Sequence, residues 1–232
     1  MAGRISYYGG IVKDGLVLDL DAAKIDSYPK TGTSWKDISG NGNNGTLING
    51  PVFNSENNGG IVFDGINEYV SCGNILNYTT GNFSFSYWVY INSLTTNSVG
   101  QGPVVLYKGG YQINGYYDQI QQTTGIVSFI TNTNPVISTA TAAGTIVAGN
   151  TYNITYTRNG TSIRIYVNGV DLTNTAGVHT TIPSSTANFT IASYQAGFIC
   201  SNIRVYSFLN YNRALSAAEV LQNYNATKSR YI

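Results

Sequence analysis

The sequence predicts an all-β fold: a two-sheet antiparallel β-sandwich with one short C-terminal helix. Many short runs rich in Val, Ile, Tyr and Thr are separated by Gly and Asn, as expected for strands joined by tight turns. No alternation of strand and helix patterns occurs, which argues against a parallel α/β sheet. With 232 residues the chain can bury one large core. We therefore interpret residues 15–232 as one domain, preceded by an N-terminal arm, residues 1–14.

The clearest strand pattern lies in residues 151–173. The pairs Asn159-Gly160 and Asn168-Gly169 separate runs rich in Tyr, Ile, Val and Thr. Asn-Gly favours the two-residue turn that matches the twist of antiparallel strands, so three consecutive strands are predicted here. The middle strand alternates apolar and polar residues, so one of its faces requires a second layer.

Further strands are predicted from apolar runs between turn residues, in the order of the chain. The segment 82–91 is the longest, and it carries aromatic residues on both faces, which indicates a central strand between two layers. Gly109-Gly110 is interpreted as a turn. The other predicted strands are 16–21, 46–48, 61–63, 69–72, 104–108, 111–114, 117–122, 126–131, 189–193 and 199–206.

One helix start is present near the C-terminus. Ser216 is followed three residues later by Glu219, the spacing of a capping box, in which each side chain binds the backbone N–H of the other residue. Val220, Leu221 and Tyr224 then give an apolar stripe, so the helix is expected to run to about residue 225.

Composition constrains partners and compartment. Only 10% of residues are charged and the net charge is +1, so no electrostatic surface for nucleic acid is expected. A neutral surface rich in Tyr and Asn suits contact with sugars or protein subunits, although it also fits ordinary solvated loops. The sequence contains no signal-peptide core and no apolar run long enough to span a membrane. We therefore expect assembly in the cytoplasm, without insertion into a membrane. Cys72 and Cys200 are expected as buried free thiols, with pairing left open.

Several segments in a fixed order resemble the concanavalin A-like, laminin-G-like jelly-roll domain. The resemblance covers nearly the whole chain, and it implies the β-sandwich fold. It does not imply one function, because the same fold hosts lectins, hydrolases and structural modules. The segments are 15–18, 35–47, 63–65, 68–70, 83–89, 165–169 and 211–216.

A narrower resemblance links two segments to the version of this domain found in virion proteins of tailed bacteriophages. These segments are 27–37 and 223–228. The resemblance implies a non-enzymatic virion protein that decorates the capsid or tail, contacts other virion proteins and adheres to host or mucosal glycans, with self-association also open. Two alternatives are a dedicated carbohydrate-binding lectin module and a glycan hydrolase with an unrecognised site.

Catalytic residues are not assigned. Retaining hydrolysis of glycans needs two carboxyl groups about 5 Å apart, and the three glutamates are widely spaced in the sequence. Asp19 and Asp21 share one strand face, which we interpret as a solvated strand end. His179 is the single histidine, and no Ser-His-Asp or zinc motif can be assembled around it. It is interpreted as a loop residue.

A calcium site is the metal hypothesis, and no other cofactor is indicated. Asp37, Ser39, Asn41 and Asn43 place oxygen-bearing side chains at alternate positions, as in the first half of a calcium loop. The second half fails, because Ile48 occupies the position of the bidentate glutamate. The alternative is that these side chains brace the loop through hydrogen bonds to its own backbone.

Four tyrosines are the candidate glycan-binding residues, because exposed Tyr rings stack on sugar faces while offering a hydroxyl. They cluster in sequence around Gly109-Gly110. The alternative for each is ordinary packing on the sandwich, and Trp35 and Trp88 are both interpreted as packing residues. The four are Tyr107, Tyr111, Tyr116 and Tyr117.

Overall fold

The computed structural model describes residues 9–97 and 101–232. These residues form eighteen strands, one α-helix and two short 3₁₀ helices, Glu56–Asn58 and Lys228–Arg230. The strands are β1 Leu16–Asp21, β2 Ser34–Trp35, β3 Gly45–Ile48, β4 Val52–Asn54, β5 Gly60–Asp64, β6 Tyr69–Ser71, β7 Phe83–Thr96, β8 Leu106–Gly110, β9 Asn114–Ile120, β10 Val127–Thr131, β11 Ile137–Thr141, β12 Asn150–Asn159, β13 Ser162–Val167, β14 Val170–Asp171, β15 Thr173–Thr175, β16 Thr190–Ile191, β17 Ser193–Tyr194 and β18 Ile199–Tyr211; the helix is α1 Ala217–Thr227.

The strands form two antiparallel sheets, which confirms the predicted class. The first sheet has the order β14-β13-β12-β7-β18-β5-β4, and β1 and β17 also pair with β18. The second sheet has the order β15-β11-β10-β9-β8-β16-β6-β3-β2. We call them the first and second sheet throughout.

The core lies between the sheets and follows from strand alternation. In β7, Phe83, Phe85 and Tyr87 point into the core, while Trp88 points to the opposite face. From the second sheet, Phe129 meets this row, with its ring centroid 5.7 Å from that of Phe83. Burying each such side chain contributes about 1.5–3 kcal/mol, so the pleat of β7 and its partners holds the layers together.

The C-terminal helix covers the outer face of the first sheet. The Trp88 ring stacks on Tyr224 at 5.6 Å, and its indole N–H donates to Thr227 Oγ1 at 2.8 Å. The predicted capping box is present, with Ser216 and Glu219 bonded reciprocally. The packing explains why β7 carries aromatics on both faces. Within the described residues, no helix is both long and apolar enough to cross a membrane.

Part of the predicted N-terminal arm packs on this same helix. The Val12 N–H donates to Asn223 Oδ1 at 2.8 Å, and the Tyr211 hydroxyl donates to the Val12 carbonyl at 3.0 Å. Residues 1–8 of the arm lie outside the described residues. The described part of the arm, residues 9–14, therefore packs on the domain of its own chain.

The predicted turn at Gly109-Gly110 and the predicted strand after it are placed differently in the structure. The segment 111–114 was predicted as a strand, but residues 111–113 form the turn between β8 and β9. Gly109 and Gly115 face each other across these strands with left-handed φ values of 116° and 75°. A Cβ on residue 109 would lie 2.1 Å from a backbone oxygen. Glycine is therefore required here because two strands approach closely, and Gly109-Gly110 does not form a turn.

Both predicted hairpins form, with one turn shifted by a residue. Asn168 and Gly169 both have positive φ, as the predicted turn requires. In the other hairpin Asn159 pairs with Ser162, so its two loop residues are Gly160 and Thr161.

The two cysteines are buried free thiols in the structure, as expected. Cys72 follows β6 in the second sheet and Cys200 lies in β18 of the first. Burial raises the pKa of the Cys72 thiol to about 12, which leaves it protonated and unreactive at neutral pH.

Candidate functional site

The candidate site is a pocket on the outer face of the second sheet, beside β8 and β9. Strand alternation creates it. In β9, Tyr116 and Asp118 point into the core, so Tyr117 and Gln119 point outward. Tyr107 of β8 joins them on the outer face, in a small apolar cluster separate from the main core.

The pocket has a volume of about 420 Å³. Its floor is apolar and buried, whereas its rim is exposed, with Phe198 67% and Tyr111 49% accessible. This is the lower part of the range for small-molecule pockets, which is roughly 300–1,000 Å³. The lining residues are Gln101, Val104, Tyr111, Tyr117, Gln119, Tyr194, Gln195, Phe198 and Ile199.

Three tyrosines form a rigid base for the pocket. The Tyr194 ring lies 4.5 Å from that of Tyr107 and 5.1 Å from that of Tyr117, between centroids. The Tyr107 hydroxyl donates to the carbonyl of Gly109. Packed rings of this kind hold their neighbours in one orientation, so Tyr117 and Tyr194, the two of these three rings that line the pocket, are fixed before any ligand arrives.

The turn between β17 and β18 supplies one wall of the pocket. Gln195, Ala196 and Gly197 all have left-handed φ values, of 52°, 48° and 99°. This geometry costs a non-glycine residue roughly 1–2 kcal/mol. It places Gln195 and Phe198 beside Tyr194, and backbone strain of this sort is often found at functional sites.

Two of the three glutamine side chains that line the pocket are bonded to each other. Gln119 Nε2 donates to Gln101 Oε1 at 2.8 Å. Because each amide carries both donors and an acceptor, this bond leaves Gln119 Oε1 and the N–H groups of Gln101 to bind a ligand. The pair thus offers one acceptor and one donor side by side.

The pocket is electrically neutral. Burial raises the pKa of Tyr107 to about 12, and it raises those of Tyr117 and Tyr194 further. These phenols remain uncharged at physiological pH. The charged residues of the same strands, Lys108 and Asp118, have their side chains on the core-facing side.

Asp118 fixes the backbone beneath the pocket. Its Oδ1 accepts the N–H groups of Val105 and Leu106 at 2.7 and 2.9 Å, and its Oδ2 accepts the hydroxyls of Tyr87 and Tyr156. Desolvation raises the pKa of this fully buried carboxyl to about 6. Asp118 therefore positions the segment that carries Val104 into the floor.

The predicted tyrosines divide between the two faces. Tyr111 and Tyr117 line the pocket, and Tyr107 lies beneath it with 2% of its surface exposed. The prediction of a glycan contact is wrong for Tyr116, which is 1% exposed and faces the core. Its hydroxyl donates to the Leu76 carbonyl at 2.7 Å, so no ligand at the surface can reach it.

Sequence reasoning missed the residues contributed by distant segments. The segment of Tyr194, Gln195 and Phe198 reaches the pocket because β16, which precedes it, pairs with β8. Gln101 lies in a loop. Gln119 could have been found, because alternation along β9 places it on the face of Tyr117. The others carry no local signal.

The calcium hypothesis maps to a loop held by its own hydrogen bonds. Asp37 Oδ1 accepts the N–H groups of Asp19 and Ser39, and Oδ2 accepts the Ser39 hydroxyl and the Asn43 N–H, all within 3.0 Å. The Asn41 and Asn43 amides donate to the Val17 carbonyl. A calcium ion would have to replace these contacts. Among the described residues, no group of three or more His, Cys, Asp or Glu side chains could hold a metal.

The two aspartates of β1 lie far from the pocket, on the outer face of the first sheet. Asp21 is not a free solvated end: Arg230 binds both its oxygens, at 2.7 and 2.8 Å. Asp19 is also buried, and desolvation raises its pKa. The interpretation of a solvated strand end was therefore wrong, since both residues are buried: Asp21 is paired with Arg230, and Asp19 lies 3.7 Å from the Lys13 ammonium.

His179 is a coil residue as expected, but it is fully buried. Its ring nitrogens contact the hydroxyls of Thr131 and Thr139 at 2.7 and 2.9 Å. Desolvation and then the nearby Arg158 lower its pKa to about 4. The ring is therefore neutral at physiological pH and serves packing.

Two packed antiparallel sheets define the class of the protein as an antiparallel β-sandwich. The family model described as the concanavalin A-like lectin/glucanases superfamily matches residues 64–221. The chain belongs to this superfamily. A comparison with curated protein sequences found no match.

Solved structures show the same fold at low sequence identity. The binding domain of Paraclostridial mosquitocidal protein 1 gives a TM-score of 0.70 at 18% identity, covering 92% of this chain and 52% of that one. The botulinum neurotoxin serotype G binding domain gives 0.68 at 18%, covering 92% and 51%. The chain thus spans about half the length of these toxin domains.

A third structure matches over nearly its full length. Domain 4 of AbnA, an extracellular arabinanase of Geobacillus stearothermophilus, was solved in complex with arabinotriose. It gives a TM-score of 0.64 at 17% identity, covering 90% of this chain and 97% of that one. At these identities the likeness establishes the fold.

Proposed function

We propose that this protein is a non-enzymatic glycan-adhesion domain that binds sugar in the pocket beside β8 and β9. The observation that carries the proposal is the composition of the pocket, whose described lining supplies aromatic rings, three glutamine amides and no formal charge. Rings stack on the apolar faces of sugars, and amides pair with hydroxyls. The matched structures, two binding domains and a domain solved with arabinotriose, agree with this use of the fold.

A glycan array with purified protein tests binding, and variants test the site. Phe198 and Tyr111 suit mutation, because their exposed rings contribute little to the core. We expect Phe198→Ala and Tyr111→Ala each to weaken binding by about 1–2 kcal/mol, roughly five- to thirtyfold in Kd. Val52→Ala is the matched control, since Val52 is 60% exposed on the first sheet. Equal loss in the control would contradict the assignment.

The proposal excludes glycan hydrolysis. Its support is that the pocket is lined without a carboxylate and that Arg230 binds both oxygens of Asp21. Retaining hydrolysis requires two carboxyl groups about 5 Å apart across the scissile bond. Incubation with polysaccharides should release no new reducing ends. Turnover that Asp21→Ala abolishes would overturn the non-enzymatic assignment.

We further propose that the domain acts on the virion of a tailed phage, as an accessory component of the capsid or tail that contacts other virion proteins. The support is the resemblance of segments 27–37 and 223–228 to phage virion domains. Antibody labelling of purified particles, viewed by electron microscopy, should decorate capsid or tail. Label recovered only in the soluble fraction of a lysate would leave a free lectin module as the better description.

A further inference from the structure

The chemistry of the pocket narrows the class of sugar it can hold. Among the described residues, the nine that line it are Gln, Tyr, Phe, Val and Ile, so none of these carries a formal charge. The lysine of β8 is committed elsewhere, with Lys108 Nζ bonded to Asn74 Oδ1 and the Ala187 carbonyl at 2.9 and 2.7 Å. A ligand carboxylate would therefore find no cationic partner in the pocket.

A sugar carboxylate would lose part of its hydration in the pocket without gaining an oppositely charged partner. Transfer of a charged group to a less polar site is costly unless it is paired and hydrogen-bonded. The amide pair offers a carboxylate the N–H groups of Gln101 beside the acceptor oxygen of Gln119, which would repel it. The other polar groups of the described lining, the Gln195 amide and the tyrosine hydroxyls, are neutral. A ligand carboxylate therefore finds hydrogen bonds but no opposite charge.

Sugar hydroxyls match the same pair. A hydroxyl both donates and accepts, so two neighbouring hydroxyls can donate to Gln119 Oε1 and accept from Gln101 Nε2. The hydroxyl of Tyr117, which has no hydrogen-bond partner among the described residues, adds a third polar contact. Phe198 and Val104 supply the apolar surface against which a pyranose ring packs.

We propose that this pocket selects uncharged sugars with neighbouring free hydroxyls over uronic and sialic acids. The inference rests on the proposed glycan-binding function and adds the ligand class. The same geometry implies that one cation placed beside the amide pair would admit acidic sugars. Gln119 is the position for it, because it is half-buried at the pocket and bonded to Gln101.

The test compares matched sugars that differ in one carboxyl group: glucose with glucuronic acid, and galactose with galacturonic acid. Titration calorimetry or ligand-observed NMR at physiological salt measures each Kd. We expect the uronic acids to bind at least about tenfold more weakly than the neutral partners. Gln119→Lys should reduce or reverse this ratio. Thr46→Lys, which adds the same charge at an exposed position on β3 of the same sheet, should leave it unchanged.

The outcomes separate the two proposals. If uronic acids bind as tightly as the neutral sugars, the selectivity is wrong while glycan binding stands. If Thr46→Lys changes the Kd ratio as much as Gln119→Lys does, the ratio depends on the overall charge of the surface. The role of the pocket is then overturned. If the folded protein binds neither class at millimolar concentration, the proposed function itself fails, and the selectivity with it.

Discussion

Asp118 and His179 are buried titratable groups whose effects on stability oppose each other. The folded pKa of Asp118, about 6, lies above its ordinary value of 3.8. Its favourable contribution is therefore complete below about pH 4 and is lost as the pH rises through 6. The folded pKa of His179, about 4, lies below its ordinary 6.5, so its contribution is complete above about pH 6.5 and is lost as the pH falls through 4.

Single variants should reveal these opposed slopes. In Asp118→Asn the histidine effect remains, so the free energy of unfolding should rise between pH 4 and 6.5. In His179→Gln the aspartate effect remains, so it should fall over the same interval. Each change amounts to at most about 3 kcal/mol, since one pKa unit corresponds to about 1.4 kcal/mol. Urea unfolding at several pH values measures them, and parallel curves for both variants would contradict these roles.

Ala196 carries backbone strain in the wall of the pocket. Its φ of 48° is unfavourable for any residue with a Cβ, and its side chain is exposed. Ala196→Gly should therefore raise the free energy of unfolding by about 0.5–1 kcal/mol, measured by urea denaturation. Ala143→Gly, at an exposed turn position without positive φ, is the control and should lower it. Equal losses in both variants would show that residue 196 is not strained.

The 37–44 loop is an element whose chemistry is decided by hydrogen bonds. Both oxygens of Asp37 already accept protein donors, so calcium binding would require breaking these bonds. We expect millimolar calcium to leave the melting temperature unchanged, as followed by differential scanning fluorimetry with magnesium as the control. A rise of several degrees with calcium alone would instead support the calcium loop predicted at Asp37, Ser39, Asn41 and Asn43.

The C-terminal helix depends on its first turn. Ser216 Oγ accepts the Glu219 N–H, and the Glu219 carboxylate accepts the Ser216 N–H and binds Arg213 at 2.7 Å. The hydrogen bond from Arg213 is the main cause that lowers the pKa of Glu219 to about 2. Ser216→Ala should reduce the free energy of unfolding by about 1 kcal/mol, and Ser216→Asp should retain most of it. Chemical denaturation measures both variants. An unchanged free energy of unfolding in Ser216→Ala would show that the cap does not stabilise the helix.

At the scale of the whole molecule the two sheets have different roles. The outer face of the first sheet is closed by α1 and the residues after it, since Tyr224 and Tyr231 pack on Trp88. The outer face of the second sheet carries the pocket. The Asp118 carboxylate joins the layers, since it binds Tyr87 and Tyr156 of the first sheet from its place in β9. A rigid sandwich thus presents a preformed site on one side.

The local patterns that predicted the fold could not predict the whole site. Alternation in β7 and the capping residues Ser216 and Glu219 act over a few positions, so they can be read directly from the sequence. The pocket instead joins β9 to residues 194–199, and their proximity depends on the pairing of β16 with β8, in which Thr190 lies opposite Tyr107. Tyr116 and Tyr117 are neighbours in sequence, and only the pleat assigns them to opposite faces.

The most direct test of glycan binding in this pocket is ¹H–¹⁵N NMR of the protein titrated with neutral monosaccharides. The side-chain amide signals of Gln101, Gln119 and Gln195 report the pocket, and Gln222, on α1 at the opposite side, is the internal control. We expect the three pocket signals to shift saturably while that of Gln222 stays fixed. Saturable shifts confined to other surfaces, or no shifts with any sugar, would contradict the account.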